Sequence, residues 1–311
     1  MSQSPSQRKK SVIVVGGGLG GLSAAISLRG EGFDVEIVEK NDKLGGKLNL
    51  LEIDGFGFDL GPSIFTLPQF FESLWERVGR KMSDYVELES VHPHWRNFFE
   101  DGMVLDLIED PAAQKEEFKK LPGDLDHIWE QFEKFLKYGR EQFQLCDEGY
   151  FREGLDNVWE MFRHYGFFKM IFKMDHRNTM SESIASHIDD EYLRRIFEYF
   201  IKYVGSSAHD APGYMNLMPI IQYDYGLWYV KGGMYNLAVG LRKLLDDIGV
   251  PVRYNSEVET INQSGKEVTG VTLKDGTILN SDYVVCNMEV LPAYKKSVSY
   301  THLRAHETPR H

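Results

Sequence analysis

The residues best placed to do chemistry are three glycines, Gly16-x-Gly18-x-x-Gly21. An apolar run from Val12 to Val15 leads into them and an Ala/Leu-rich stretch follows, which is the strand-to-helix setting a dinucleotide-binding fingerprint requires. In that setting Gly16 permits the tight turn, Gly18 lets main chain approach a pyrophosphate, and Gly21 lets the helix pack close to its sheet. The phosphates would rest on the helix N-terminus, where unpaired N–H groups and the helix dipole favour anions. A second strand-like run, "DVEIVEK", carries Glu39 eighteen residues after Gly21, close to the ~20 expected of an acid that bonds a ribose hydroxyl. A carboxylate there suits an adenosine ribose without a 2′-phosphate. The competing reading is a glycine-rich turn with an ordinary strand-ending glutamate.

NAD and FAD both satisfy this much, so the following segment decides. Residues 43–65 read "KLGGKLNLLEIDGFGFDLGPSIF". Gly45 and Gly46 offer backbone without Cβ, Lys47 offers a cation, and the alternating run that turns at Asp54-Gly55 predicts a β-hairpin ending at Gly61-Pro62. A plain NAD dehydrogenase would continue here into a second helical crossover. This chain instead sends a small-residue loop and a hairpin back towards the nucleotide, as a longer cofactor would need.

With these motifs in order, the chain resembles the flavin amine oxidase superfamily and, within it, the bacterial-type phytoene and diapophytoene (carotenoid) desaturases. The matching stretches are "VIVVGGGLGGLSAA", "VEIVEKNDKLGGK", "GFGFDLGPS" and "GLWYVKGGMYNLAVGL", spread over residues 12 to about 296. The resemblance implies an α/β fold in which a discontinuous FAD-binding Rossmann-like domain carries an inserted, mainly helical α+β substrate domain. It implies FAD, with Gly16, Gly18 and Gly21 at the pyrophosphate, Glu39 on the adenosine ribose, and Gly45, Gly46 and Lys47 along the flavin. Leu19, Gly20, Lys40, Gly61, Pro62 and Ser63 complete the implied cofactor-binding set. Val258, in the strand "SEVETI", is an implied adenine contact and reads equally well as an interior strand valine. Many members of the family carry arginine where Lys47 stands; the charge is kept, but the planar fork is not.

The activity implied is desaturation of a long isoprenoid polyene in carotenoid biosynthesis, one hydrogen leaving as hydride to the flavin and its neighbour as a proton. Carotenoid isomerase, end-group oxygenase and amine oxidase are the sister alternatives, and an inactive truncated piece is another. Such chemistry demands orientation and water exclusion rather than a charged nucleophile. Accordingly no Ser-His-Asp, Cys-His or paired-carboxylate set is nominated, no metal-ligand set is nominated, and the histidines at 92, 94, 164, 176 and 209 are read as surface or structural.

The elements that must position this site follow from composition and periodicity. With 311 residues, 42% of them hydrophobic, the chain can build two ordinary domains. A net charge of -12 argues against a general nucleic-acid binder. Domain boundaries are expected at 11–80 and 230–296 for the two parts of the FAD-binding domain, with the substrate domain at 81–229 between them. Helical spacing puts Leu125, Ile128, Phe132 and Phe135 on one face, Leu193, Phe197, Phe200 and Val204 on another, and Leu237, Leu241, Leu244 and Leu245 on a third. Residues 161–177, "MFRHYGFFKMIFKMDHR", interleave four basic residues with aromatics and are the candidate for docking on an anionic membrane surface; a core helix with a solvated basic side is the alternative. A lipophilic polyene partner and a cytoplasmic enzyme held peripherally at the inner face of the cell membrane are expected. Cys146 and Cys286 are expected to be core thiols, and Tyr283 to Cys286 a buried strand. Residues 1–10 are expected to be a disordered leader, and 297–311, "SVSYTHLRAHETPRH", a non-native tail standing where family members continue.

Overall fold

The computed structural model describes residues 8–154 and 157–296. They divide into two compact units, one of residues 1–89 and 229–311, the other of residues 90–228. The division falls after Glu89 rather than after residue 80. Residues 81–89 stay with the first unit because Val86 packs under Gly240 and the Tyr85 hydroxyl donates to Asp247 at 2.6 Å.

The first unit opens with β1 (Ser11–Val15), buried along four of its five residues, then α1 (Leu19–Gly30) and the parallel strand β2 (Asp34–Val38). No helical crossover follows β2. The chain forms the hairpin β3 (Asn49–Ile53) and β4 (Phe56–Leu60) instead, closed by Asp54 and Gly55 at φ of +51° and +83°. Positive φ at both central residues matches the turn to the twist of the strands it joins. Helix α2 (Pro68–Glu76) and the short β5 (Leu88–Ser90) complete this half.

The second unit pairs β6 (Trp95–Phe98) with β7 (Val104–Leu107) and is otherwise helical: α3 (Pro111–Glu117), α4 (Leu125–Cys146), α5 (Val158–Phe172), α6 (Met180–His187), α7 (Glu191–Tyr199) and α8 (Leu217–Tyr225). Ile128, Phe132 and Phe135 are buried as their spacing predicts, and the Phe135 and Phe197 rings meet at 4.5 Å between centroids. Leu125, at the start of α4, is only half-buried, and Val204 is 56% exposed. Helix α7 stops at Tyr199 and tightens into a 3-10 turn, so the 3.6-residue period no longer carries Val204 inward. Gly166, at φ +73° and ψ 158°, interrupts α5. The side chains of residues 167–172, on which the membrane-docking expectation rests in part, lie outside those described.

Returning to the first unit, β8 (Trp228–Val230) leads to α9 (Tyr235–Asp247), β9 (Val252–Arg253), β10 (Val258–Ser264), β11 (Glu267–Leu273), β12 (Ile278–Asn280), β13 (Tyr283–Cys286) and α10 (Val290–Lys296). Leu237, Leu241, Leu244 and Leu245 of α9 are all buried. The main sheet is parallel in the order β13-β1-β2-β9, and β10-β11-β12 form an antiparallel sheet. Ile13, Val15 and Val38 pack against Val258, Val271 and Leu273, sealing one sheet on the other. Strand β13 is an outer strand of the main sheet among the described residues, so Tyr283 and Cys286 are exposed rather than buried, and only Cys146 is a core thiol. Burial pushes the Cys146 thiol up to about 11, which keeps it protonated and inert. Residues 297–311 lie outside the described residues.

Candidate functional site

Strand β1 stands between β2 and β13, so the direction of strand succession reverses beside it, and the carboxyl ends of these strands are where an open α/β sheet binds its ligand. The glycine loop fills that end. Gly16 N–H donates to Val38 at 2.8 Å and Asn287 N–H to Val15 at 2.9 Å, so the loop is framed by the chain leaving β2 and β13.

Helix α1 begins behind the loop with Gly18 as its N-cap, with no side-chain cap and no acid in its first turn. Its first N–H groups and its dipole are therefore left for an external anion. Gly21 sits so close to the turn that a Cβ there would lie 2.0 Å from the Gly16 carbonyl oxygen. No residue but glycine fits.

A second small-residue loop lies alongside the first. Gly45 bridges to Gly18, its N–H donating to the Gly17 carbonyl at 2.9 Å. Gly46 has φ of +63°, and a Cβ on it would lie 2.9 Å from the Gly18 Cα. Leu44 is buried over Gly17, where an added Cβ would meet it at 2.2 Å. Two motifs more than twenty residues apart thus form one cradle of bare backbone.

Glu39, only 5% exposed, closes the far side. One carboxylate oxygen accepts the Gly17 N–H at 2.6 Å; the other accepts the Asn41 N–H at 2.9 Å and its side-chain amide at 2.8 Å. A carboxylate offers about four lone-pair sites, so three donors leave room for a ribose hydroxyl. The Glu39 main chain is held as firmly, donating to Arg253 at 2.8 Å and accepting from Ser256 at 2.9 Å.

The remaining expected site residues fall into three groups. Leu19 and Gly20 belong to the first turn of α1, half-buried and exposed respectively. Lys47, Gly61, Pro62 and Ser63 cluster at the end of the hairpin: a Cβ on Gly61 would lie 2.2 Å from the Lys47 carbonyl oxygen, and Pro62 and Ser63 are exposed. Lys47 Nζ lies 3.5 Å from Glu289, both side chains largely in solvent, a pairing worth little by itself. Lys40 is exposed beside Glu39. Val258 turns its side chain into the core between the sheets.

Two residues that sequence reasoning passed over hold the site together. The Asn287 side chain lies over the glycine loop: a Cβ on Gly20 would come within 2.6 Å of its Oδ1, and one on Gly18 or Gly21 within 3.2 Å of its Nδ2. Its only sequence signal is a lone asparagine directly after a strand. Asp59 of β4 accepts the N–H groups of Met234 at 2.7 Å and Tyr235 at 3.0 Å, capping α9, whose own N-cap residue makes no side-chain bond. This contact joins the "GFGFDLGPS" and "KGGMYNL" motifs.

Two glycine loops with no Cβ between them, an uncapped helix N-terminus and a buried carboxylate with a lone pair to spare fit FAD. They define a dinucleotide-binding flavoprotein built on a parallel βαβ sheet. The chain belongs to the flavin containing amine oxidoreductase family, which matches residues 19–306, and its cofactor is FAD. It is 49% identical over 297 residues to the 4,4'-diapolycopene oxygenase of Methylomonas sp, a match that covers 95% of this chain and 58% of that protein. To the 4,4'-diaponeurosporene oxygenase of Staphylococcus haemolyticus it is 42% identical over 293 residues, covering 94% of this chain and 58% of that one. The chain therefore spans 58% of the length of these curated relatives. Among solved structures, the PF1083 protein from Pyrococcus furiosus shares the fold with a TM-score of 0.63 at 19% identity, covering 97% of this chain and 66% of that one.

Proposed function

We propose that the whole protein is an FAD-dependent oxidoreductase of carotenoid biosynthesis that acts on a long acyclic polyene of the diapocarotenoid kind. The observation that carries this reading is the locked pair of glycine loops beside Glu39, together with the likeness to the two diapocarotenoid oxygenases. Bound FAD supplies a two-electron acceptor. In this reading Gly18 to Gly21 hold the pyrophosphate, Glu39 orients the adenosine ribose, and Gly45, Gly46 and Lys47 flank the flavin side. Asn287 and Asp59 position these groups without touching the substrate. Between the two carotenoid chemistries, oxygenation is supported by the relatives' names, and desaturation, expected from the motifs, is the second reading. Product analysis of the full-length enzyme on 4,4'-diaponeurosporene under labelled dioxygen separates them. Gain of a labelled oxygen supports oxygenation, loss of two hydrogens without label supports desaturation, and an unchanged polyene with flavin bound overturns both.

A hydrocarbon of this length has negligible concentration in water, so we place the enzyme at the inner face of the cell membrane, where it takes substrate from lipid. Support comes from the basic aromatic segment 161–177, in which Arg163 and Lys173 are exposed, and from Trp159 just ahead of it at 84% exposure. No helix among the described residues is long and apolar enough to cross a membrane. Replacing Lys169 and Lys173 with glutamate is expected to reduce sedimentation with anionic liposomes, since charge and apolar burial both contribute to such binding; unchanged sedimentation overturns the assignment of this segment.

A further inference from the structure

A cluster in the second unit takes no part in the cofactor chemistry. His92 and His94 flank Pro93 immediately ahead of β6, and Glu109 lies in the turn between β7 and α3. The hairpin register brings them together: Trp95 pairs with Leu107, and the His94 N–H donates to the Leu107 carbonyl at 2.9 Å. His92 Nδ1 then lies 3.5 Å from one carboxylate oxygen of Glu109, and His94 Nε2 lies 3.2 Å from the other. One ligand atom from each residue falls within 4.8 Å of the other two. The His94 side chain is 2% exposed, yet its Nε2 lies off the line of a hydrogen bond to Glu109 and has no hydrogen-bond partner. A buried polar nitrogen left in that state has lost its water without a partner in exchange, which is unfavourable.

We propose that His92, His94 and Glu109 form a binding site for a divalent transition metal, zinc by ligand preference, that clips the two ends of the β6–β7 hairpin together. Ligand atoms placed tetrahedrally on bonds of about 2.0–2.2 Å stand roughly 3.3–3.6 Å apart; each histidine lies at that spacing from its own carboxylate oxygen, at 3.5 Å and 3.2 Å, and with one atom from each residue the set spans no more than 4.8 Å, a gap that rotation of the partly exposed His92 and Glu109 side chains closes. The ion takes up the lone pair that His94 Nε2 leaves unused. Two imidazoles and one carboxylate suit zinc, whereas magnesium and calcium seek a shell made mostly of oxygen ligands, of which this site has only the Glu109 carboxylate. His92 and Glu109 are partly exposed, so an ion can reach the buried nitrogen from solvent and keep one position for water. The spacing conceals the site from sequence reading, because the single carboxylate lies a whole hairpin away from the His-Pro-His step.

Cobalt(II) serves as the spectroscopic probe on the purified full chain. The unmodified protein is expected to take up cobalt with visible d–d bands of a four- or five-coordinate ion, and zinc should displace it and raise the melting temperature, while magnesium at equal concentration does neither. Because an unpaired buried His94 variant could fail to fold, the decisive variants are H92A, at an exposed side chain, and E109Q. Each is expected to weaken cobalt binding by more than about tenfold, a loss that even an outer-shell partner of a metal can produce, and to abolish the zinc-dependent rise in melting temperature. Histidines elsewhere in the chain can also take up metal, and these variants distinguish them. Cobalt bands and a zinc response that are absent in the unmodified protein, or unchanged in H92A and E109Q, overturn the proposal.

Discussion

At Gly21 one methyl group meets backbone. Its Cβ would lie 2.0 Å from the Gly16 carbonyl oxygen, which cannot retreat without breaking the turn. Gly21→Ala is therefore expected to destabilise the first unit by at least about 1–3 kcal/mol, the usual cost of overpacking, and to lose flavin as a consequence. Gly18 differs, because the nearest atom to an added Cβ is the Asn287 amide at 3.2 Å, the end of a side chain that can shift. Gly18→Val is expected to keep most of its melting temperature and to lose flavin, since the branched side chain stands where main chain faces the pyrophosphate. Glu39→Gln should weaken retention less, because one oxygen still accepts the Gly17 N–H. Flavin absorbance per mole of protein, read beside thermal melts, separates these outcomes; full flavin content in Gly18→Val would sink the assignment of this loop.

Two contacts between elements set how firmly the sheet and helices hold the cradle. Asp59 caps α9 from the β3–β4 hairpin, so Asp59→Ala is expected to lower stability by about 1 kcal/mol, as for other lost caps. Urea unfolding measures this, and an unchanged midpoint would remove Asp59 from the account. At the opposite end of the sheet, Asp282 accepts the Ser11 N–H at 2.7 Å and bonds Arg8 and the Ser11 hydroxyl at 2.9 Å. The Ser11 N–H, then Arg8 and the Ser11 hydroxyl, hold its carboxyl down at about 2, below the ordinary 3.8. A folded value below the unfolded one means that stability is present in full above pH 3.8 and is lost as pH falls through 2. Asp282→Asn is accordingly expected to be less stable than the unmodified chain at neutral pH, with the gap closing between about pH 4 and pH 2. A gap that stays constant through that window would show that the carboxylate charge is not responsible.

On the scale of the whole molecule, the β3–β4 hairpin exposes one apolar face, since Ile53 pairs with Phe56 and Leu51 with Phe58 and paired residues share a face. Phe56 is 70% exposed, Phe58 53% and Ile53 49%. Exposed apolar patches of this kind mark an interaction surface or a liability to associate. The folded chain is expected to bind a hydrophobic dye such as ANS, and Phe56→Ser with Phe58→Ser should cut that signal by at least about half while leaving the melting temperature close to its starting value, as surface substitutions do. Equal dye binding in the double variant would place the exposed apolar surface elsewhere.

Local pattern carried much of the fold. The run into the glycine loop, the two-residue turn at Asp54 and Gly55, and the buried faces of α4 and α9 depend on periods of 2 and 3.6 residues and on which residues tolerate positive φ, all readable without neighbours. The pattern misled where it was asked about partners. Val204 followed the helical period past the end of its helix, and Tyr283 and Cys286 read as buried although β13 is an outer strand among the described residues. Tertiary structure alone laid Gly45 on Gly17, set Asn287 over the glycine loop, bound Asp59 to the start of α9, and gathered His92, His94 and Glu109 at the ends of one hairpin. Adjacency in a parallel sheet joins Val15 to Cys286 across most of the chain, and no local periodicity encodes a pairing at that separation. Propensity and period act over a few residues, whereas the cradle is made by strand order and by the packing of loops that strand order brings together.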